Sequence, residues 1–452
     1  MLAASEIQLP AVPVRSGRRS QLEAFLVLRR NPLELWGPEA YTRDILPGRF
    51  LGRNQLLLND PAAIRHVLLG NHENYRRTVP TRRVLQPVLG QGLFLAEGES
   101  WRHQRRVIAP SLAPRVMPLL VRHMLRVTDD VEGELDTQLG RPLNLLAMLQ
   151  RLTLDVAGQS MFSLEMRQFG KDLRGLLLRY GLNFAQTGLL DLMLPAGIST
   201  PRDRGRAVFR QDWLALMDSM MAAREATRNA AEPRDLLDLL RAAVDPETGL
   251  GFTHEQLRDE VATLILAGHE TTALSLFWAC YIAAIRPEMQ ERIAAEAASC
   301  DLAAPDAMQH LTFTRAFLDE TLRLYPPAFL IVRQAQEPDN IGGVPVAAGT
   351  VVSVSPWVLH RHRRHWAEPQ RFDPGRFMPG APAPDRMVYL PFGAGPRICV
   401  GAQFALTEGV LVLARMLQRY RVNLVGHQTV RPRALLTTQP DRRVLFLLSR
   451  RA

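Results

Sequence analysis

The sequence predicts a mainly helical protein with a small β region, built as one large domain. Its 452 residues are 47% hydrophobic and 22% charged, which is enough apolar material for a large core and too balanced for a disordered or fibrous chain. Apolar residues recur at intervals of three and four through several long segments, as they do in amphipathic helices. No sustained run of Gly, Ser, Pro or like charge divides the chain, so we expect residues 1–452 to form a single domain.

Helical spacing is clear in seven segments and strand spacing in three. The predicted helices are Met117 to Leu139, Leu145 to Met161, Arg204 to Arg228, Thr253 to Ile285, Pro287 to Ser299, His310 to Leu324 and Cys399 to Tyr420. The predicted strands are Phe50 to Leu58, Gly349 to Val354 and Arg443 to Leu448. Proline is concentrated between these elements, notably in the stretch Pro374 to Asp385, which we expect to form an irregular meander.

Cysteine usage and the chain start bear on the compartment. The three cysteines are Cys280, Cys300 and Cys399, an odd number without CxxC or zinc-ligand spacing, so a disulfide scaffold is not expected. The first residues lack the apolar run of a signal peptide, and no stretch has the roughly 18 apolar residues of a spanning helix. These features predict a soluble, cytoplasmic protein with no membrane anchor.

The chain is basic, with a formal net charge of +10 and a pI near 10.3. Only one basic residue, Lys171, is a lysine, and the arginines are scattered without interleaved stacking aromatics. The distribution therefore does not favour nucleic-acid binding. A basic surface patch does suit an acidic protein partner.

One cysteine stands in an unusual setting, between a glycine-rich loop and a helix in PFGAGPRICVG. At a helix start, free backbone amides and the helix dipole stabilise a thiolate, which suits Cys399 to be a metal ligand. Gly393 and Gly401 allow a flat group to approach the backbone, Phe392 can lie against that group, and Arg397 can bind a carboxylate. A planar dianionic cofactor with a central metal satisfies all four features. The alternative is an inert buried cysteine in a turn.

The same stretch fits the pattern F-x-x-G-x-R-x-C-x-G, and in this the chain resembles the cytochrome P450 family of haem-thiolate monooxygenases. The resemblance implies one triangular, mainly helical haem domain with a small β-rich side and no fused reductase. It implies haem b (iron protoporphyrin IX) as cofactor, with Cys399 as the axial ligand to iron and Arg397 on a haem propionate.

A second family landmark is ETLRLYPP, in which Glu320 and Arg323 lie three apart and so on one helical face. By itself this pair is indistinguishable from a surface ion pair. With Arg376 of RFDPGRF it matches the buried network that, in the family, holds the meander under the haem. The resemblance implies a structural role for all three residues.

The segment EVATLILAGHETTALSLFWAC predicts a core helix with a polar centre. From the residues alone, Thr271 can equally be a core threonine that bonds a carbonyl of its own helix. Ala267, Gly268, Glu270 and Thr271 match the family pattern (A/G)-G-x-(D/E)-T. The resemblance implies that this turn lies over the haem face opposite the cysteine, that Thr271 holds the O2 co-substrate, and that Glu270 helps to relay two protons.

Three further residues match family positions that bind the haem propionates. Trp101 and Arg105 lie four apart in GESWRHQRRV, and so on one face of a predicted helix. Arg333 follows the Pro326-Pro327 turn. For each arginine a solvated or structural role is the alternative.

The resemblance also implies substrate contacts, which fall on Phe94, Leu264, Ala328, Phe329 and Leu436. These side chains are apolar, and so we expect a lipophilic small-molecule substrate. Electrons are expected to come from NAD(P)H through a separate ferredoxin reductase and ferredoxin.

The sequence therefore predicts a monooxygenase that inserts one atom of O2 by hydroxylation or epoxidation. Two alternatives remain at this point. One is a haem-thiolate enzyme that uses peroxide, or that isomerises or dehydrates its substrate without reductant. The other is a non-enzymatic haem sensor or carrier. The pair Glu270 and Thr271 favours the monooxygenase, because neither alternative needs a proton relay.

Overall fold

The computed structural model describes residues 9–17, 19–163, 168–195, 197–226, 233–426 and 428–451. Most of this part of the chain is helical. The helices are α1 Gln21–Arg30, α2 Pro61–Arg65, α3 Val79–Leu89, α4 Gly98–Ile108, α5 Met117–Asp136, α6 Leu145–Phe162, α7 Gly170–Asn183, α8 Leu189–Met193, α9 Pro201–Ala226, α10 Leu236–Ala242, α11 His254–Ile285, α12 Pro287–Ala298, α13 Ala307–His310, α14 Thr312–Leu324, α15 Pro356–Leu359 and α16 Ala402–Arg419.

The strands are short and form small sheets. They are β1 Ile45–Phe50, β2 Arg53–Leu58, β3 Tyr75–Arg76, β4 Ile331–Ala335, β5 Asp339–Ile341, β6 Val344–Val346, β7 Val351–Val354, β8 Tyr420–Leu424, β9 Pro432–Ala434, β10 Thr438–Pro440 and β11 Phe446–Arg450. One sheet has the order β1-β2-β7-β4-β3, and β8 with β11, β9 with β10 and β5 with β6 form two-stranded pairs. The predicted class, mainly helical with a small β region, is confirmed.

Long helices follow the apolar spacing closely. The seven predicted helices correspond to α5, α6, α9, α11, α12, α14 and α16, with ends that differ by up to three residues. The prediction ending at Arg228 extends past α9, and its residues 227 and 228 lie outside the described residues. α16 begins at Ala402, so Cys399 precedes the helix.

The predicted strand Phe50 to Leu58 is wrong as a single strand. Its residues belong to an antiparallel hairpin, in which Phe50 ends β1 and Arg53 begins β2. The turn between them places Leu51 at φ 47° and Gly52 at φ 78°. Two consecutive residues with positive φ give the turn twist that suits a two-residue hairpin, and an apolar residue such as Leu51 gives no sequence signal for it.

The longest helix, α11, runs through the core. Thr253 caps its first turn through a capping box with Gln256. It packs along α6 and also contacts α16, α14 and α9. Trp278 in its second half is fully buried, with its indole ring stacked 4.3 Å from the ring of Tyr325. α11 is therefore a core element against which shorter segments are positioned.

None of the helices in the described ranges combines the length and the apolar character needed to cross a membrane.

Candidate active site

Residues 391–401 form a tight loop that ends at the start of α16. The Cys399 N–H donates to the Phe392 carbonyl at 2.9 Å, and the Ile398 N–H donates to the Gly395 carbonyl at 3.0 Å. Gly393 and Gly395 both have φ 74°, a conformation that favours glycine. These bonds hold the cysteine backbone in one place.

The two glycines have different surroundings. A Cβ on Gly395 would lie 1.9 Å from the Leu68 carbonyl oxygen, whereas the nearest atom to a Cβ on Gly393 is Ile331 Cδ1 at 4.0 Å. Gly395 therefore allows close packing against the protein's own backbone. Gly393 leaves room on its side of the loop, which suits the cofactor-facing position predicted for it.

The Cys399 side chain is accessible and yet enclosed by protein. The residue is exposed, but burial raises the pKa of its thiol, while the Gly401 N–H and the Arg105 guanidinium act in the opposite direction. The sequence argument predicted a stabilised thiolate, whereas in the structure desolvation is the larger effect. A metal cation on the sulfur deprotonates a thiol outright, so the setting suits a metal ligand better than a free nucleophile.

The middle of α11 is open on one side. Ala267 is exposed, although the residues on either side of this turn are largely buried. Apart from the backbone of its own helix, a Cβ added to Gly268 would meet no atom of the described residues within 4 Å. The helix itself continues unbroken through this turn, so the space beside it comes from small side chains.

Thr271 and Glu270 lie at this turn. The Thr271 hydroxyl donates to the Ala267 carbonyl at 2.6 Å, which is the arrangement expected of a core threonine and leaves its oxygen free to accept a hydrogen bond. Burial raises the pKa of Glu270, and the Thr437 hydroxyl beside it has a smaller opposite effect. An acid of raised pKa next to an accessible alcohol can hold and pass a proton.

A cluster of arginines surrounds a single carboxylate, Glu97. Arg397 donates to the Ala96 carbonyl at 2.8 Å and pairs with Glu97. Burial, with repulsion from the nearby Arg397 as a smaller cause, lowers the pKa of Arg333 to about 10. These largely buried cations outnumber the carboxylates that face them in the described part of the chain, which is a costly arrangement unless additional anions bind.

Arg77 is a member of this cluster that the sequence reasoning missed. Its Nη1 lies 3.5 Å from the Glu97 carboxylate, and its buried Nε has no hydrogen-bond acceptor among the residues that the structure describes. Burial, followed by repulsion from Arg333 and Arg397, lowers its pKa well below the usual value. Its only sequence signal is a dipeptide, RR, in a chain full of arginine.

The predicted helix face around Trp101 meets the cysteine loop. Trp101 is nearly buried, and the Arg397 guanidinium lies over its indole ring, 4.5 Å from the ring centroid. Arg105 donates to the Ile398 carbonyl at 2.8 Å. The structure thus brings together Trp101, Arg105, Arg333, Arg397 and Cys399 from distant parts of the chain.

Glu320 and Arg323 form a fully buried bidentate ion pair, with N···O distances of 2.6 and 2.8 Å. Arg323 also donates to the carbonyls of His360, Pro369 and Arg371. Arg376 Nε lies 3.5 Å from Glu320. The three predicted network residues therefore meet, and they bind the backbone of the segment that precedes the cysteine loop.

His360 is a further residue that the sequence reasoning missed. Its Nε2 accepts from the Leu390 N–H at 2.8 Å and its Nδ1 lies 3.1 Å from the Arg323 carbonyl. Burial lowers its pKa to about 3, so the imidazole is neutral and donates from Nδ1. It links the Glu320 network directly to the first residue before the cysteine loop.

The predicted substrate residues differ in accessibility. Phe94 and Ala328 are exposed, and Leu264 and Leu436 are partly buried. Phe329 is 8% exposed and packs in the core, so in this turn Ala328 offers more surface than Phe329.

Together these observations fit a haem. The accessible cysteine suits an iron centre as its ligand. The open helix turn of small residues leaves space for a flat macrocycle. The excess of guanidinium groups suits two propionates. In this fit Cys399 would bind the iron, and Arg77, Arg333 and Arg397 would bind the propionates.

Comparison with known proteins gives the same result. The sequence matches the family model "Cytochrome P450" over residues 42–446. It is 31% identical over 416 residues to cyclooctat-9-en-7-ol 5-monooxygenase of Streptomyces melanosporofaciens, with 90% of this chain and 88% of that protein covered. It is 28% identical to LUTEIN DEFICIENT 5, chloroplastic, of Arabidopsis thaliana, with 82% of this chain covered, and it spans 65% of that relative's length.

Solved structures show the same fold. The crystal structure of the cytochrome P450DA heme domain matches with a TM-score of 0.79 and 25% identity over 90% of each chain. That of another cytochrome P450 matches with a TM-score of 0.84 and 23% identity over 98% of this chain and 100% of the other. The chain therefore belongs to the cytochrome P450 family, whose enzymes are haem-dependent monooxygenases that use O2 and take electrons indirectly from NAD(P)H.

Proposed function

We propose that this protein inserts one atom of O2 into a lipophilic small molecule, by hydroxylation or epoxidation, with electrons from a separate ferredoxin and its NAD(P)H-dependent reductase. The observation that carries the proposal is the pairing of an accessible, enclosed Cys399 with an open turn of α11 at Ala267 and Gly268. The haem supplies a redox-active iron that activates dioxygen, and its thiolate ligand favours O–O cleavage.

The chain's own residues hold that cofactor. Cys399, whose backbone is fixed by its bond to Phe392, would bind the iron. The guanidinium groups of Arg77, Arg333 and Arg397 would bind the haem propionates. The Trp101 ring packs against the Arg397 guanidinium and supports it. Glu320, Arg323 and Arg376 act through the backbone of residues 360–373, which lead into the meander, and are structural.

Two residues of α11 handle protons. The Thr271 hydroxyl is oriented by its bond to the Ala267 carbonyl and presents its oxygen to the open side of the helix. The Glu270 carboxyl keeps its proton to a higher pH than an exposed glutamate does, because it is buried. Thr271 accepts and positions a hydrogen bond beside the reacting oxygen, and Glu270 resupplies the proton.

The substrate is expected to be lipophilic because the accessible side chains assigned to the pocket, Phe94, Leu264, Ala328 and Leu436, carry no charge or hydrogen-bonding group. A bacterial relative is named for a monooxygenation of cyclooctat-9-en-7-ol, which is compatible with such a pocket.

The electron donor is expected to dock where the cysteine loop reaches the surface. Ile398 and Leu69 are 41% and 42% exposed, and the exposed Arg65 lies four residues before Leu69. An apolar centre with a rim of arginine suits an acidic ferredoxin. We place the enzyme in the cytoplasm, where NAD(P)H is available.

The test is turnover of a panel of lipophilic compounds by the holoenzyme with NADPH, a ferredoxin and a ferredoxin reductase. The compounds are first selected by the spectral shift that follows displacement of water from the iron. We expect product that contains one atom from labelled O2 and that requires the reductase. Product formed only with added peroxide, or without any oxidant, would replace this proposal with one of the two haem-thiolate alternatives.

A further inference from the structure

The segment between α3 and α4, residues 90–97, lies directly on α11. A Cβ on Gly90 would lie 2.0 Å from the Asp259 carboxylate, and Gly90 has φ 57°. A Cβ on Gly92 would lie 2.3 Å from Thr263 Oγ1 and 2.8 Å from the Asp259 carbonyl oxygen. Only glycine allows the two backbones to approach this closely.

Two consecutive acids of α11 bond the amides of this segment. Asp259 accepts from the Gln91 N–H at 2.8 Å, and both carboxyl oxygens of Glu260 accept from the Leu93 N–H at 2.9 and 3.1 Å. Neither role follows from the sequence motifs of the active site. We call Asp259 and Glu260 the acid clamp.

Burying the carboxyl groups of the acid clamp costs free energy. Asp259 has one arginine, Arg210, at 3.3 Å, whereas Glu260 is 0% exposed and its amide partner is neutral. A buried carboxyl loses more hydration than one amide hydrogen bond restores. Such a cost is typical of a position that is retained for function.

The clamp leaves one large apolar side chain of the segment exposed. Leu93, Leu95 and Ala96 are buried, but Phe94 is 43% exposed, and the Arg77 guanidinium lies 4.5 Å from its ring centroid. The ring is therefore held on one side by an arginine of the propionate cluster and through its backbone by α11.

The clamp and the oxygen-side residues share a helix face. Glu260, Leu264, Ala267 and Thr271 follow one another at intervals of four, three and four, the spacing of a single face. Thr271 lies eleven positions after Glu260, which corresponds to roughly 16 Å along the helix. The segment that carries Phe94 is thus fixed to the element that carries Thr271.

We propose that Asp259 and Glu260 are positioning residues that hold Phe94 as a fixed wall of the substrate pocket and so determine which substrate sizes bind. The inference rests on the proposed function, because it takes the open side of α11 as the substrate pocket. It goes beyond that function in assigning specificity to two acids that contact neither cofactor nor substrate.

The test compares Glu260→Ala with the conservative Glu260→Gln, which keeps an acceptor for the Leu93 N–H. Glu255→Ala is the matched control, since Glu255 lies on the same helix but is exposed. The probes are imidazole, which needs little of the pocket, and 4-phenylimidazole, which extends into it. Binding of both to the ferric holoenzyme is followed by the Soret shift, and amide hydrogen exchange is measured for residues 90–96.

We expect Glu260→Ala to weaken the binding of 4-phenylimidazole by about tenfold and that of imidazole by less than about twofold. Amide hydrogen exchange in residues 90–96 should be faster. Glu260→Gln and Glu255→Ala should match the wild type. Equal weakening of both probes, or faster exchange without any change in the 4-phenylimidazole constant, overturns the proposal. If Glu260→Ala does not fold, Phe94→Ala must reproduce the selective loss, and its failure to do so has the same consequence.

The failure of the proposed function is distinguishable from these results. If the wild-type protein shows no haem Soret band, the proposed function is refuted. The comparison of amide hydrogen exchange between wild type and Glu260→Ala can still be made. An unchanged exchange rate in Glu260→Ala refutes the clamp itself, whatever the cofactor.

Discussion

Arg397 lies with its guanidinium over the indole ring of Trp101, 4.5 Å from the ring centroid. The two residues are almost 300 positions apart, and their contact joins α4 to the cysteine loop. A cation over an aromatic face is stabilised by the ring electrons, but the same arginine also faces Arg77 and Arg333. The contact therefore holds Arg397 in a cluster whose positive charges repel one another.

Arg333→Met is expected to affect the apoprotein and the holoenzyme in opposite directions. Removing one buried cation relieves repulsion, so the apoprotein should unfold at the same temperature as the wild type or higher. Because the Arg333 guanidinium would no longer bind a haem propionate, the holoenzyme should release haem about tenfold faster. Thermal unfolding of the apoprotein and haem transfer to apomyoglobin measure the two effects.

The control is Arg102→Met, which removes a more exposed arginine from the same region. Arg102 is already paired with Glu73 and Glu99, so neither quantity should change by much. A lower unfolding temperature together with unchanged haem loss in Arg333→Met would show that this arginine only supports the sheet.

Cys399→Ser is expected to abolish the strongly red-shifted Soret band of the reduced carbon monoxide complex. The band requires a thiolate on the iron, and a serine hydroxyl does not supply one. Cys300→Ser and Cys280→Ser serve as controls, and both should retain the band. A red-shifted band in Cys399→Ser would assign the iron ligand to another residue.

Thr271→Ala is expected to retain haem but to divert electrons from product to hydrogen peroxide. Without the hydroxyl that Ala267 orients, the proton supply to the reacting oxygen is less well placed. The fraction of NADPH recovered as product should fall several-fold, as measured by peroxide and product yields in the same reaction.

Ser275→Ala is the matched variant for this experiment. Its hydroxyl makes the same kind of bond one turn later, to the Thr271 carbonyl at 2.8 Å, and its coupling should remain close to that of the wild type. Equal uncoupling in both variants, or none in Thr271→Ala, contradicts the relay.

Glu320→Gln is expected to destabilise the folded protein by about 3–5 kcal/mol, because it leaves the buried Arg323 charge without its partner. The exposed pair Arg43 and Glu39 gives the comparison, since Glu39→Gln should cost about 1 kcal/mol or less. Urea unfolding of both variants measures the difference. A small loss in Glu320→Gln would mean that the backbone carbonyls around Arg323 suffice to hold it.

Long apolar periodicity made most of the helical framework predictable, whereas short or interrupted elements were not. α3 contains Pro87 in its interior, and a proline within a helix hides the helical pattern. The hairpin turn at Leu51 and Gly52 places an apolar residue at positive φ. In both places tertiary packing determines the structure more than local preference does.

The site was predictable where residues stand in a spaced pattern and not where they meet only in space. Cys399 and Arg397 are two residues apart, and Glu320 and Arg323 are three apart. Arg77, His360 and Glu260 gain their roles from neighbours more than 10 positions away. No local pattern distinguishes a buried arginine or glutamate from a solvated one.

Glu260→Gln is expected to flatten the decline of stability with rising pH. Burial, with a smaller contribution from the adjacent Asp259, raises the pKa of Glu260 to about 8, and the Leu93 N–H opposes the shift. The unfolded glutamate titrates near its usual value of about 4.3. Between these pH values the folded state holds a proton that the unfolded state has lost, so the wild type loses stability as pH rises from about 5 to 8.

Gln cannot ionise, but its amide oxygen still accepts from Leu93. The variant should therefore be about as stable as the wild type near pH 5 and more stable near pH 8, by roughly 1–3 kcal/mol. Urea unfolding of the two proteins at pH 5, 6.5 and 8 measures this difference, with Glu255→Gln as the exposed control. Parallel pH profiles would show that Glu260 is ionised in the folded protein at neutral pH. Its carboxylate would then need a cation or a water molecule that compensates for its burial.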